Sequence, residues 1–184
     1  MEFINRMRKD KKGFTLVEII VVLVILAILA AFMIPSMLGF VADAKKKAAV
    51  AEQREIYVAA QAIATEYFAK DATTAASKLG ITTTNAAGAD AANLGSTEVA
   101  KYGKANKMSD GTAKTTALAA INDATKAMGN YLGTDITANG TNSDSETANS
   151  TWTVSVDTNG QVREVTYTKN GVTLDPLKPS SAVK

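Results

Sequence analysis

The apolar positions fall into three regimes along the chain. From Ile19 to Ile34 sixteen residues carry no polar side-chain atom, and the wider stretch Phe14–Val41 is broken only by Thr15, Glu18, Pro35, Ser36 and Gly39. About 20 helical residues cross a bilayer core, so this stretch predicts a membrane-spanning helix. From Ala42 to Lys78 there is no Pro or Gly. Val41, Ala44, Ala48, Ala51, Ile56, Ala60, Ile63 and Tyr67 recur at near-helical spacing there. That pattern predicts one continuous helix from about Phe14 to about Lys78, apolar all round in its first half and amphipathic in its second. The third regime is alternating. Thr151–Val156 puts Trp152, Val154 and Val156 on one face, Asp157-Thr158-Asn159-Gly160 makes a turn, and Gln161–Thr168 makes a second strand. A turn at Lys169-Asn170-Gly171 leads to a third strand at Val172–Leu174. A phase change between Val162 and Val165 predicts a bulge.

Between helix and strands the pattern is weaker. Gly80 ends the long helix, and Ile81–Ser109 reads as irregular with a short helix around Asn93–Tyr102. Ser109-Asp110 offers an N-cap to a second helix that carries Leu118, Ile121, Thr125, Met128 and Leu132 on one side and stops at Gly129 or Gly133. Asn139–Ser150 is a polar loop. Three antiparallel strands are too few to stand alone, so the amphipathic half of the long helix must cover one face. The expected fold class is α+β: a long N-terminal helix packed on a small C-terminal antiparallel meander, joined by a helix- and loop-rich connection.

Composition then removes most chemistry. Cysteine and histidine are absent, which excludes disulfides, thiolate metal sites and His-dependent triads. No Gly-rich phosphate loop, nucleophile elbow or paired catalytic carboxylates are visible, so no enzyme and no cofactor is expected. The net charge of +2 predicts no nucleic-acid partner, and the Lys45-Lys46-Lys47 triplet reads as a solvated or subunit-facing patch just outside the membrane. Asp144 and Glu146 lie in the polar loop, but two acids without EF-hand spacing make a weak calcium site. Asn139-Gly140-Thr141 and Asn149-Ser150-Thr151 fit the glycosylation tripeptide and read as chance. The aromatic rings on the helix (Phe14, Phe32, Phe40, Tyr57, Tyr67 and Phe68) suit core or subunit packing rather than electron transfer.

The N-terminus carries the strongest signal. Five basic residues (Arg6, Arg8, Lys9, Lys11 and Lys12) precede the apolar run against Glu2 and Asp10, so this end stays cytoplasmic. Removing residues 1–13 would leave a net charge of −1, so the basic balance of the chain belongs to this leader. Glu18 is the anomaly, because a carboxylate in an apolar helix costs several kcal/mol unless it is paired or interfacial. Lys11 to Glu18, KKGFTLVE, followed by the apolar run, closely resembles the N-terminus of type IV prepilins. The resemblance implies that a membrane aspartic peptidase cuts between Gly13 and Phe14 and that the new Phe14 amine is N-methylated. It places Thr15, Leu16 and Val17 in the next positions, Glu18 on the family's fifth-position glutamate, and Pro35 on the later helix proline.

A physical reading runs beside it. Phe14 and Glu18 share a helix face at i and i+4. A new amine at a helix N-terminus is unfavourable, and so is a poorly solvated carboxylate. Both are relieved if the Phe14 amine of one subunit meets Glu18 of a neighbour, which would select one axial register. The alternative is that Glu18 snorkels to the interface. Gly13 allows extended backbone in a peptidase site, and Pro35 removes an N–H and crowds the carbonyl of Ala31, so the helix kinks or melts there.

The expected organisation is a cleaved leader over 1–13, an apolar assembly helix over 14–41 and a globular head over 42–184. The function the resemblance implies is the structural subunit of a type IV pilus: a homo-oligomeric filament, anchored in the cytoplasmic membrane as a precursor and displayed at the cell surface when mature. Its partners would be the prepilin peptidase, an assembly platform protein and an ATPase. The same N-terminus serves pseudopilins of type II secretion or competence DNA uptake. A non-polymerising membrane-tethered binding module is the reading from another class. Many Gram-negative pilins close a C-terminal loop with two cysteines. This chain has none, as is commoner in Gram-positive pilins, so its meander is expected to be held by packing alone.

Overall fold

The computed structural model describes residues 13–83, 85–132 and 150–179. They fall into two units that divide between Lys46 and Lys47.

From Leu16 onward the first unit is a single stretch of helix. Helix α1 begins at Leu16 and continues through Lys70, passing Pro35 without interruption. Its large apolar side chains from Leu16 to Val41 are all exposed within the isolated chain. By length and composition this helix is long and apolar enough to cross a membrane.

The second unit is α+β. The C-terminal part of α1 packs on a four-stranded antiparallel sheet of order β1-β2-β3-β4, with β1 Ala89–Asp90, β2 Ser150–Val156, β3 Val162–Lys169 and β4 Val172–Thr173. Between them lie α2 Ala72–Leu79, a 3-10 turn Ala92–Leu94, α3 Ser96–Asn106, α4 Thr112–Ala119 and α5 Asp123–Tyr131. One core joins Ile56, Ala60 and Ile63 of α1 to Val154, Val156, Val162, Val165 and Tyr167 of the sheet. Leu79, Leu94, Val99 and Met128 close it from the connecting helices.

Several expectations need correction. The long helix does not reach Lys78. Asp71 takes an extended conformation, its Oδ1 accepts from the Thr73 N–H at 3.0 Å, and α2 starts there as a separate helix. An aspartate at this position competes with the helix for its own backbone N–H groups. Gly80 does end that second helix, at φ 71°. The single helix expected before the polar loop is two, because the Asn122 side chain caps a new start by accepting from the Ala124 N–H at 2.8 Å. The first of the two is preceded by Gly111, not capped by Ser109 or Asp110. Gly129 lies inside α5 rather than at its end, and a Cβ there would come within 2.2 Å of the Tyr102 ring. Gly133 and residues 139–149 lie outside the described residues, so Asp144, Glu146 and the Asn of both glycosylation tripeptides do too. Ser150 opens β2 instead of closing a loop.

The buried face of α1 also differs. Ala44, Ala48 and Ala51 are exposed, while Ala49 and Gln53 are buried beside Ile56, Ala60 and Ile63. The stretch expected to be irregular with one short helix around Asn93–Tyr102 has that helix a little later, as α3, and also holds a strand, β1, which pairs Ala89 with Val156 and Asp90 with Ser155. Trp152 secures this side of the sheet by donating its Nε1–H to the Leu94 carbonyl at 2.9 Å.

The meander follows the alternation. Trp152, Val154 and Val156 are buried, and the register shift comes where expected, with Ser155 opposite Glu164 and Val156 opposite Val162. Arg163 is the extra residue, and its bulge returns Val162, Val165 and Tyr167 to one buried face. Asn170 (φ 51°) and Gly171 (φ 78°) turn the last hairpin in the left-handed region that such two-residue loops demand.

Packing is not all that holds the meander. Gln53 Nε2 donates to the carbonyls of Val165 and Asp175, each at 3.0 Å. Two turns along, Gln61 accepts from the Val162 N–H at 2.9 Å and donates to the Gly160 carbonyl at 3.0 Å. Glu52 takes both the Tyr167 hydroxyl and the Lys169 ammonium, the latter at 2.6 and 2.8 Å. Val165 and Leu177 exchange backbone hydrogen bonds of 2.9 Å, so the C-terminal segment folds back along β3. Without cysteines, side-chain amides and a carboxylate on one helix do the fastening.

Candidate functional site

The functional residues predicted from sequence lie at the start of α1. Thr15 stands just before the helix, and Leu16 is its first residue. The Glu18 N–H donates to Thr15 Oγ1 at 3.3 Å. In return Glu18 Oε2 accepts from the Thr15 N–H and from Thr15 Oγ1, each at 2.8 Å. This is a reciprocal capping box: two donors that a helix N-terminus leaves unsatisfied find partners in one Thr–Glu pair. The Ile19 N–H closes the first turn on the Thr15 carbonyl at 3.3 Å.

The structure therefore brings Thr15 and Glu18 together. Phe14 is not part of that contact and is 83% exposed. Gly13 has open space around it, since a Cβ built there meets nothing within 4 Å. Leu16 and Val17 are exposed, and Pro35 lies within unbroken helix. Glu18 thus has a partner in its own chain, besides the neighbouring amine or the membrane interface expected from sequence, and that partner has a visible signal. T-x-x-E ahead of an apolar run is itself a helix-start pattern, here Thr15 to Glu18.

The capped start has a chemical consequence. In the membrane-spanning segment a carboxylate with no donor is costly, and the Thr15 N–H and hydroxyl supply two. Among the described residues no group of three His, Cys, Asp or Glu side chains is placed to hold a metal ion.

Residues 8–34 match the family model described as the prokaryotic N-terminal methylation motif. The segment is a type IV pilin-like prepilin signal. No curated protein and no solved structure matches the chain. The prepilin signal spans the basic residues from Arg8, the Gly13-Phe14 junction, the capping box and the apolar helix as far as Ile34. It marks a membrane-anchored precursor and points to a structural protein rather than to an enzyme. The helix-on-sheet second unit is consistent with a pilin fold.

Proposed function

We propose that this protein is the structural subunit of a type IV pilus. The observation that carries the reading is the methylation motif over residues 8–34 leading into an apolar helix whose large side chains are exposed among the described residues. A helix this apolar is stable either in lipid or against copies of itself, and a filament core supplies the second environment.

In this reading the precursor lies in the cytoplasmic membrane with its N-terminus inside. Prepilin peptidase cuts between Gly13 and Phe14, and the exposed, uncrowded junction suits an extended substrate. The Phe14 amine is methylated. The Phe14 amine and the Glu18 carboxylate of adjacent subunits then meet in the filament, aligning helices that are otherwise uniform. Thr15 holds Glu18 at the helix start until that happens, Leu16 and Val17 pack between subunits, and Pro35 marks where α1 loses helix as subunits pack into the fibre. An assembly platform protein and an ATPase drive the transfer from membrane to surface.

The test is the intact mass and N-terminal sequence of protein sheared from cell surfaces. A chain beginning at Phe14 with one added methyl, recovered in fibres, supports the proposal. A processed chain that never leaves the envelope as fibres indicates a pseudopilin. A chain still starting at Met1 and retained in the membrane refutes both and leaves a tethered module.

A further inference from the structure

Orientation explains one basic cluster of this chain but not the other. The leader's lysines and arginines hold the N-terminus inside. Lys45, Lys46 and Lys47 then follow the apolar run on the side that must be translocated, where the positive-inside rule disfavours them. All three are exposed on continuous helix, and among the described residues none has an ion pair or hydrogen bond. Asp43 is the one acid within helical-neighbour spacing. The positions four residues further on are Ala49, Val50 and Ala51, which offer no acceptor side chain. Successive helical residues step by about 100°, so the three ammonium groups fan over roughly 200° of the helix circumference. Such a fan does not suit a single point partner, but it suits a planar layer of anions surrounding the helix. Depth agrees. Val41 ends the apolar run, and Lys45 comes about 6 Å later along the axis, where the phosphates of a bilayer lie.

We propose that Lys45, Lys46 and Lys47 form a collar that binds the phosphates of anionic lipid headgroups on the outer face of the membrane, holding the subunit at a set depth before assembly. The inference rests on the membrane-spanning reading given above. Polar heads on flexible stems let each lysine reach the headgroup layer while its methylenes lie along the apolar boundary. The free energy comes from local concentration of negative charge, amounting to about a fivefold preference per lysine close to the surface.

The full chain, reconstituted in phosphatidylcholine vesicles with a minority of phosphatidylglycerol, is extracted in mild detergent, and its retained lipids are counted by native mass spectrometry. Phosphatidylglycerol is expected about fivefold or more above its bulk share. The triple variant Lys45→Gln, Lys46→Gln, Lys47→Gln is expected to lose about fivefold or more of that enrichment, the basic leader holding the remainder, and the corresponding Lys→Arg triple variant to keep it. Glutamine and arginine are both good helix formers, so both variants keep the helix and only the glutamine variant removes charge. Inorganic phosphate is expected to lower the enrichment no more than sodium chloride of equal ionic strength does; a selective loss in phosphate would assign the lysines to free phosphate and overturn the lipid collar. A bulk ratio for the natural chain, or undiminished enrichment in the Gln variant, overturns it as well. Alkaline carbonate washing of the vesicles separates the two levels of the argument. A chain that stays in the membrane but shows no enrichment refutes the collar alone, whereas a chain that washes off refutes the membrane reading with it.

Discussion

The Gln53 side chain reaches the carbonyl of Asp175 at 3.0 Å, across 122 residues of sequence. The same amide nitrogen donates to the Val165 carbonyl, so one buried group on α1 grips both β3 and the returning C-terminal segment. Replacing Gln53 by Leu keeps the volume near constant but removes the donor. The expected loss is about 1–3 kcal/mol, because the Asp175 carbonyl is left without that partner. Denaturant unfolding of the full chain in detergent measures it. Carboxypeptidase digestion past Leu174 is expected to accelerate, and an unchanged digestion rate would refute the latch.

Asp157 has its carboxylate fully buried at the turn between β2 and β3. Burial alone would push its pKa up. The N–H groups of Gln161 and Asn159 and the Arg163 guanidinium outweigh burial and hold it below the ordinary carboxylate value. The folded state therefore binds this proton less tightly than the unfolded chain does. Its contribution is present above about pH 4 and is lost as pH falls below that. Asp157→Asn is expected to be less stable at neutral pH by about 1–3 kcal/mol and to show a shallower acid limb. Equal acid slopes in the two proteins would contradict this.

Tyr167 gives the opposite limb. Burial, the hydrogen bond to Glu52 and the charge of that carboxylate push its phenol well above the ordinary value of about 10. Here the unfolded chain loses the proton first. Stability is full below about pH 10 and declines as pH rises beyond it. Tyr167→Phe is expected to reduce that alkaline slope. Tyr67, raised chiefly by burial and then by Asp123, keeps part of it. Thermal unfolding between neutral and strongly alkaline pH reads both.

Gly129 is required by a neighbour rather than by its backbone. A methyl group there would meet Tyr102 Cδ1 at 2.2 Å, and Tyr102 is tied to Asn130 by a hydrogen bond of 2.6 Å. Gly129→Ala is expected to cost about 1–3 kcal/mol by overpacking. Adding Tyr102→Ala should recover part of that cost, giving a non-additive double-mutant cycle. Strict additivity would show that the ring is not the obstacle.

The Thr15–Glu18 box separates capping from assembly. Thr15→Val removes the hydroxyl and is expected to weaken the helix start by about 1 kcal/mol, seen as faster amide exchange at Glu18 and Ile19. Glu18→Gln keeps an acceptor for the Thr15 N–H but removes the charge. In the filament reading it is expected to preserve the cap while reducing fibre yield. Normal fibres from Glu18→Gln would remove the charge pair from the assembly model.

What was legible in the sequence is what neighbours along the chain decide. The spanning helix needs only an unbroken apolar run, and the prepilin signal only the consecutive residues around Gly13 and Phe14. The β2–β3 hairpin and the bulge at Arg163 follow from alternation and a phase slip. The capping box is equally local, since T-x-x-E ahead of an apolar run marks a helix start. Other features were decided by distant contacts. Ala89–Asp90 has no alternation of its own and is a strand only because Ser155 and Val156 lie beside it. The buried face of α1 includes Gln53 and excludes Ala48 and Ala51, because the sheet meets the helix on that side and offers carbonyls to the amide. Helical period fixes which residues share a face. Which face is covered depends on groups more than a hundred residues away, and only folding brings those groups together.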